Sequence, residues 1–186
     1  MDKNNSITMI LNVLAEAKNN MYDDEILDQL LSFLITLLEG CNINLQKTIH
    51  NYFLTVPSGE YILHKFFDVI EEEINLLKIK NDDTKEENHE STEKKASFGN
   101  INKYKPSILE KVLRILKLFT EGHFLELQNY MRYQINSRIN HDLVSQVIEL
   151  LHAYHSNITE YNYDNVLLCL KTLTEFVQVS FYLFFF

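Results

Sequence analysis

Few residues in this chain have the type and spacing for chemistry. His152 and His155 lie three apart in a helical stretch, which turns two imidazoles the same way, as metal ligands sometimes stand. No His-Glu-x-x-His or Cys-x-x-Cys run supplies further ligands, and at a helix end two histidines serve as caps for the last carbonyls. Asp82 and Asp83 begin an acidic run, but the alternating oxygen ligands and central glycine of an EF-hand loop are missing. Cys41 and Cys169 would each need a general base to act as nucleophiles, and no motif joins either to a particular histidine. Both read as small core residues. No glycine-rich phosphate loop occurs, so no enzyme, cofactor or metal is expected. Lys94-Lys95-Ala96-Ser97-Phe98 has the pattern of a basophilic kinase site, which makes Ser97 the candidate phosphosite.

Composition narrows the remaining classes. The 186 residues are 46% hydrophobic and 23% charged, enough to bury one sizeable core. A net charge of −9 argues against nucleic acid as a partner, because neutralising phosphates needs a basic face. No stretch approaches the roughly 20 apolar residues of a bilayer span, so no direct membrane insertion is expected. Nothing at the N-terminus resembles a targeting segment, and a reducing, cytosolic setting is expected. The glycosylation patterns at Asn4 and Asn157 are then without consequence.

The elements that must position these residues are helices. There are only four glycines and two prolines, and apolar residues recur three and four apart. Ile7 to Lys18 is the first predicted helix. Asp24 to Glu39 is the second, with a broad face of Ile26, Leu27, Leu30, Leu31, Leu34, Leu37 and Leu38 that neighbours must cover. Leu45, Ile49 and Phe53 mark a third helix ending before Pro57. Ser58 is the expected N-cap of a fourth, over 59–79, with Glu71, Glu72 and Glu73 turned to water. Residues 81–104 are polar and aperiodic, and read as a charged disordered loop. Pro106 opens the next helix, Leu125, Leu127, Tyr130 and Met131 begin its partner, Asn140 or Asp142 caps another, and Asp164 caps the last, which carries Leu170.

Two segments share a frame. EGCNINLQ at 39–46 returns as EGHFLELQ at 121–128, a shift of 121 − 39 = 82 residues. Gly40 and Gly122 are placed to end a helix in the left-handed conformation that only glycine adopts without a side-chain clash. Leu45 and Leu127 then anchor the returning helix, with Phe53 and Tyr130 further along it. The predicted fold is all-α, with antiparallel helix hairpins stacked as a fragment of an armadillo- or HEAT-like α-solenoid.

The residues also carry a family likeness. VLRILKLFTEGHFLELQNYMRYQINSRINHDLVSQVIELL, at 112–151, resembles the signature stretch of the RIH-associated domain of inositol trisphosphate and ryanodine receptors. NVLLCLKTLTEFVQ, at 165–178, resembles that domain's closing helix, and LLSFLITLLEGCNINLQKTIHNYFL, at 30–54, the helix pair before its variable loop. The sharpest part is Glu121-Gly122-His123 followed by Leu127-Gln128-Asn129-Tyr130 and Arg132. Two departures stand out. HSNITEYNYD replaces the family's glycine-rich loop, and VSFYLFFF replaces the Gly-Pro-Cys continuation after Gln178. Val179-Ser180 can be encoded GTAAGT, a splice-donor sequence, so translated intron is the expected origin of the aromatic tail.

The resemblance implies a noncatalytic scaffold of a calcium-release channel that couples ligand-induced change to the pore. Its partners would be other helical domains of the same chain and neighbouring subunits of a homotetramer, at the cytosolic face of the endoplasmic reticulum. The expected organisation is a helical lead-in over 1–25, an RIH-associated-like domain over 26–178 and the tail over 179–186. The alternative is a free-standing helical-repeat adaptor that holds a partner peptide or helix in a groove.

Overall fold

The computed structural model describes residues 3–16, 24–40, 42–86, 106–135, 137–155 and 158–178. Cys41, Ser97 and the tail over 179–186 lie outside them, as does most of the 81–104 segment. Among the described residues the chain is all-α: α1 (Lys3–Glu16), α2 (Asp24–Leu38), α3 (Ile43–Thr55), α4 (Glu60–Glu86), α5 (Pro106–Thr120), α6 (Leu125–Arg132), α7 (Leu143–His155) and α8 (Tyr163–Val177). Among the same residues no helix is long and apolar enough to cross a membrane.

Several boundaries differ from the expected ones, each for a local reason. Ser58 is not the cap of α4, because Pro57–Gly59 forms a 3-10 turn that runs directly into that helix. Helix α4 continues to Glu86, past the end of the apolar period at 79–81. No glycine or proline intervenes, so backbone hydrogen bonding propagates from the preceding turns although Asn81, Asp82, Asp83 and Thr84 are weak helix formers. Asn162, rather than Asp164, occupies the N-cap of α8, and its side-chain oxygen accepts from the Thr159 amide at 2.8 Å. At α7 the choice falls to Asp142, whose carboxylate accepts from the Ser145 amide at 3.0 Å. Asn140 instead accepts from the Gln134 amide at 2.8 Å.

The helices stack in layers. A shift of 106 − 24 = 82 residues carries α2 onto α5 from first residue to last, and carries the start of α3 onto the start of α6. Helix α2 packs on α5 and α5 on α8; α3 packs on α6, and α4 on α7. A third helix, α4 or α7, thus completes each corner-linked pair, and α8 begins a third layer. Ser107 and Lys111, early in α5, meet Asp28 early in α2, while Arg114 reaches Glu39 at the end of α2. The two helices therefore run parallel, as a solenoid repeat requires. Helix α1 closes the first layer by packing on α2, α3 and α4.

One continuous core links the layers, from Ile7 and Leu11 through Leu34, Ile49 and Phe66 to Leu116, Leu150 and Cys169. Helix α5 lies at its centre, and Ile108, Leu113, Ile115, Leu116 and Phe119 are all fully buried. Not every predicted core position is covered. Ile26 and Leu170, each on an apolar stripe in sequence, remain about half exposed at opposite ends of the stack.

Candidate functional site at the helix corners

Both corner glycines have the backbone geometry that ends a helix. Gly40 has φ +98° and Gly122 has φ +82°, inside the left-handed region. At the second corner His123 is left-handed as well, with φ +68°, so two successive residues turn the chain before α6. In the first corner Asn42 caps α3, its side chain accepting from the amides of Asn44 and Leu45. Leu45, Leu127, Phe53 and Tyr130 are all buried.

The corners are joined by two glutamines that sequence reasoning left without a role. Gln46, the last residue of the first repeated octet, donates from Nε2 to the carbonyls of Leu118, at 3.1 Å, and Glu121, at 2.5 Å. Leu118 lies in the last turn of α5 and Glu121 just past it, where carbonyls lack partners within the helix. Gln128, its counterpart one repeat later, donates to Glu175 at the end of α8, at 2.7 Å, and to Thr120 at 3.4 Å. Each layer's glutamine thus holds the end of the first helix of the next layer. The signal was a polar residue at a buried position directly after each anchor leucine.

Aromatic packing fills the space between the clasps. Phe53 and Tyr130 stack with ring centroids 5.8 Å apart and planes 2° from parallel, and Phe119 meets Phe53 edge-on at 6.0 Å. Tyr130 donates its hydroxyl to the Phe53 carbonyl at 3.0 Å. Burial raises the Tyr130 phenol, and the Glu60 carboxylate adds to the rise, so it stays a donor at any physiological pH. His50 presents its ring edge-on to Phe124 and Tyr130, and burial lowers its pKa against the opposing pull of Glu126.

Further polar groups hold the remaining helices. Thr172 of α8 donates to the Leu113 carbonyl of α5 at 3.1 Å. Tyr154 donates to Glu73 at 3.0 Å and accepts from Asn165 at 3.3 Å. Glu73 is therefore partly buried in a link between α4, α7 and α8 and is not turned to water, as its helix position suggested. Gln134 stitches the α6–α7 connection to itself, donating to the His141 carbonyl at 3.1 Å and accepting from the His141 amide at 2.6 Å. His141 packs against His64 with ring centroids 4.9 Å apart.

None of this assembles reacting groups. His152 and His155 are exposed, with ring centroids 6.5 Å apart, and no group of three or more metal-ligating side chains is found among the described residues. Cys169 is fully buried, and burial pushes its thiol up to about 12, far from the thiolate a nucleophile needs. A cleft of about 520 Å³ opens between the first corner, α5 and α8. Arg114, Lys117 and Lys171 alternate there with Glu39, Glu121 and Asp164, and Arg114 and Lys117 are already paired at 2.7 and 3.0 Å. Such mixed charge gives no field of one sign to concentrate an ionic ligand.

Comparison with known proteins follows the same elements. Residues 103–181 match the family described as RyR and IP3R Homology associated. The chain is also similar to the inositol 1,4,5-trisphosphate receptor itr-1 of Caenorhabditis elegans, at 35% identity over 82 residues. That likeness covers 39% of this chain and 3% of the receptor, so the chain spans a small part of its relative's length.

Proposed function

We propose, from the premise that residues 103–181 carry a RyR and IP3R Homology associated domain, that this protein is a noncatalytic scaffold module of a calcium-release channel of that type. The observation that carries the reading is the pair of glutamine clasps. They tie the ends of α5 and α8 to the corners of the preceding layers, and hydrogen bonds to buried helix ends resist sliding better than apolar contact alone. A stack held this way moves as a body, which suits the transmission of a displacement along packed helices. The functional unit extends from residue 26 to 178, because α2 and α3 supply the corner on which α5 and α6 are seated. Its partners are the flanking helical domains of the channel and neighbouring subunits, at the cytosolic face of the endoplasmic reticulum.

The test is a graft of residues 26–178 into the nematode receptor in place of the corresponding helices, read as calcium release evoked by inositol trisphosphate. The graft should release calcium, and Gln128→Leu within it should lower the maximal response while ligand binding stays intact. Full release with the clasp removed would refute mechanical coupling through these layers. The open apolar face of α2, with Ile26 and Phe33 exposed, favours a second reading, a free-standing helical-repeat adaptor. An adaptor would be recovered from cells as a monodisperse chain outside any channel complex.

A further inference from the structure

The repeat makes a statement about the start of the stack. Under the 82-residue shift, Glu25, Ile26, Gln29, Leu30 and Phe33 of α2 correspond to Ser107, Ile108, Lys111, Val112 and Ile115 of α5. The first five line a shallow apolar recess on the outer face of α2. The second five include the positions by which α5 sits on α2: Ser107 donates to Asp28 at 2.9 Å, and Lys111 pairs with Asp28 at 2.6 Å. Burial separates the two sets although both are apolar at the three shared positions, Ile26, Leu30 and Phe33 against Ile108, Val112 and Ile115. Ile108 and Ile115 are 0% exposed, whereas Ile26 is 47% exposed and Phe33 43%. The buried set has a helix of the previous layer over it; the open set has none among the described residues.

We infer that the Ile26–Leu30–Phe33 face of α2 is a docking surface for an amphipathic helix laid parallel to α2, in the position that α2 itself takes over α5. The occupant follows from the established α2–α5 interface, which this face continues one step outward. It carries an aliphatic stripe like that of Leu27, Leu31 and Ile35. Its polar position differs from Asp28, because Gln29 stands where Lys111 does and Glu25 where Ser107 does. Gln29 offers no cation where Lys111 pairs with Asp28, so the partner helix bears a neutral side chain at that point. The inference rests on the internal repeat and is independent of the channel reading.

Disulfide trapping tests it on the full chain. The protein carries Gln29→Cys and Cys41→Ser, and the probe is a synthetic peptide of residues 24–40 with Asp28→Cys, which also removes the mismatched carboxylate. In a glutathione redox buffer this peptide should form the mixed disulfide about ten-fold more than the same peptide with its cysteine at Gln29, about 100° further round the helix. Adding Phe33→Asp to the protein should erase the difference while circular dichroism shows the helices retained, since Phe33 is 43% exposed. Equal trapping of both peptides, or trapping indifferent to Phe33→Asp, would overturn the docking surface. A disulfide-linked dimer of the chain that outcompetes the peptide would overturn it too, by assigning the face to a second copy.

Discussion

Tyr130 and Phe53 are joined twice: their rings stack 5.8 Å apart, and the Tyr130 hydroxyl donates to the Phe53 backbone carbonyl at 3.0 Å. One side chain from the second layer thereby fixes both the ring and the main chain of a residue at the end of α3. Tyr130→Phe keeps the stack and orphans a buried carbonyl, which should cost about 1–2 kcal/mol. Tyr130→Ala also opens a cavity and should cost about 3–5 kcal/mol. Urea unfolding of both variants checks the ordering, and a Tyr130→Phe variant as stable as the parent would show that the hydroxyl contributes nothing.

Gln128→Leu should destabilise the chain by about 1–3 kcal/mol, since the volume is kept while the Glu175 and Thr120 carbonyls lose a donor. The loss is directional. Amide exchange should quicken in the last turn of α8 and leave α2 unchanged, whereas Gln46→Leu should loosen the end of α5.

Gly40→Ala isolates backbone strain, because a Cβ built there meets no atom within 4 Å. With φ at +98° the variant should lose about 1–2 kcal/mol, seen as a lower melting temperature. Gly40→Asn should lose less, because asparagine tolerates the left-handed region better. An unchanged melting temperature for Gly40→Ala would refute the corner's dependence on glycine.

Acid should weaken the fold before carboxylates titrate. His50 is lowered by burial against the pull of Glu126. His141 is lowered by burial and then by His64, against Asp68 and Glu60. A histidine depressed in the folded state binds fewer protons there than in the unfolded chain, so stability rises with pH. The contribution is complete above the unfolded value of about 6.5 and is lost as pH falls below it toward the lowered folded values. Thermal melts from pH 7.5 down to pH 5 should show the decline, and the double variant His50→Gln with His141→Gln should flatten it.

Much of the architecture was legible in the chain because helix formation and helix ending are local. Apolar spacing of three and four marked the segments, and glycine marked both corners, since only its backbone takes those angles cheaply. What misled was also local. Ser58 looks like a cap but follows a proline that starts a 3-10 turn, and the polar run after Ile79 looks like a loop but has nothing in it to break a helix before Glu86. Glu73 looks solvated until Tyr154, 81 residues away in sequence, reaches it.

By itself, then, the sequence determined that this protein is all helix, where its chain turns, and that its turns repeat. Tertiary structure alone decided what the repeated residues touch. Gln46 and Gln128 are short-range neighbours of their corner glycines, yet the Leu118, Glu121 and Glu175 carbonyls that they hold are supplied by the next layer. Ile26 and Ile108 are the same residue at the same helical position, and one is open while the other is buried. Periodicity fixes which way a side chain faces along its own helix; whether anything stands on that side depends on contacts from distant residues, which no local pattern encodes.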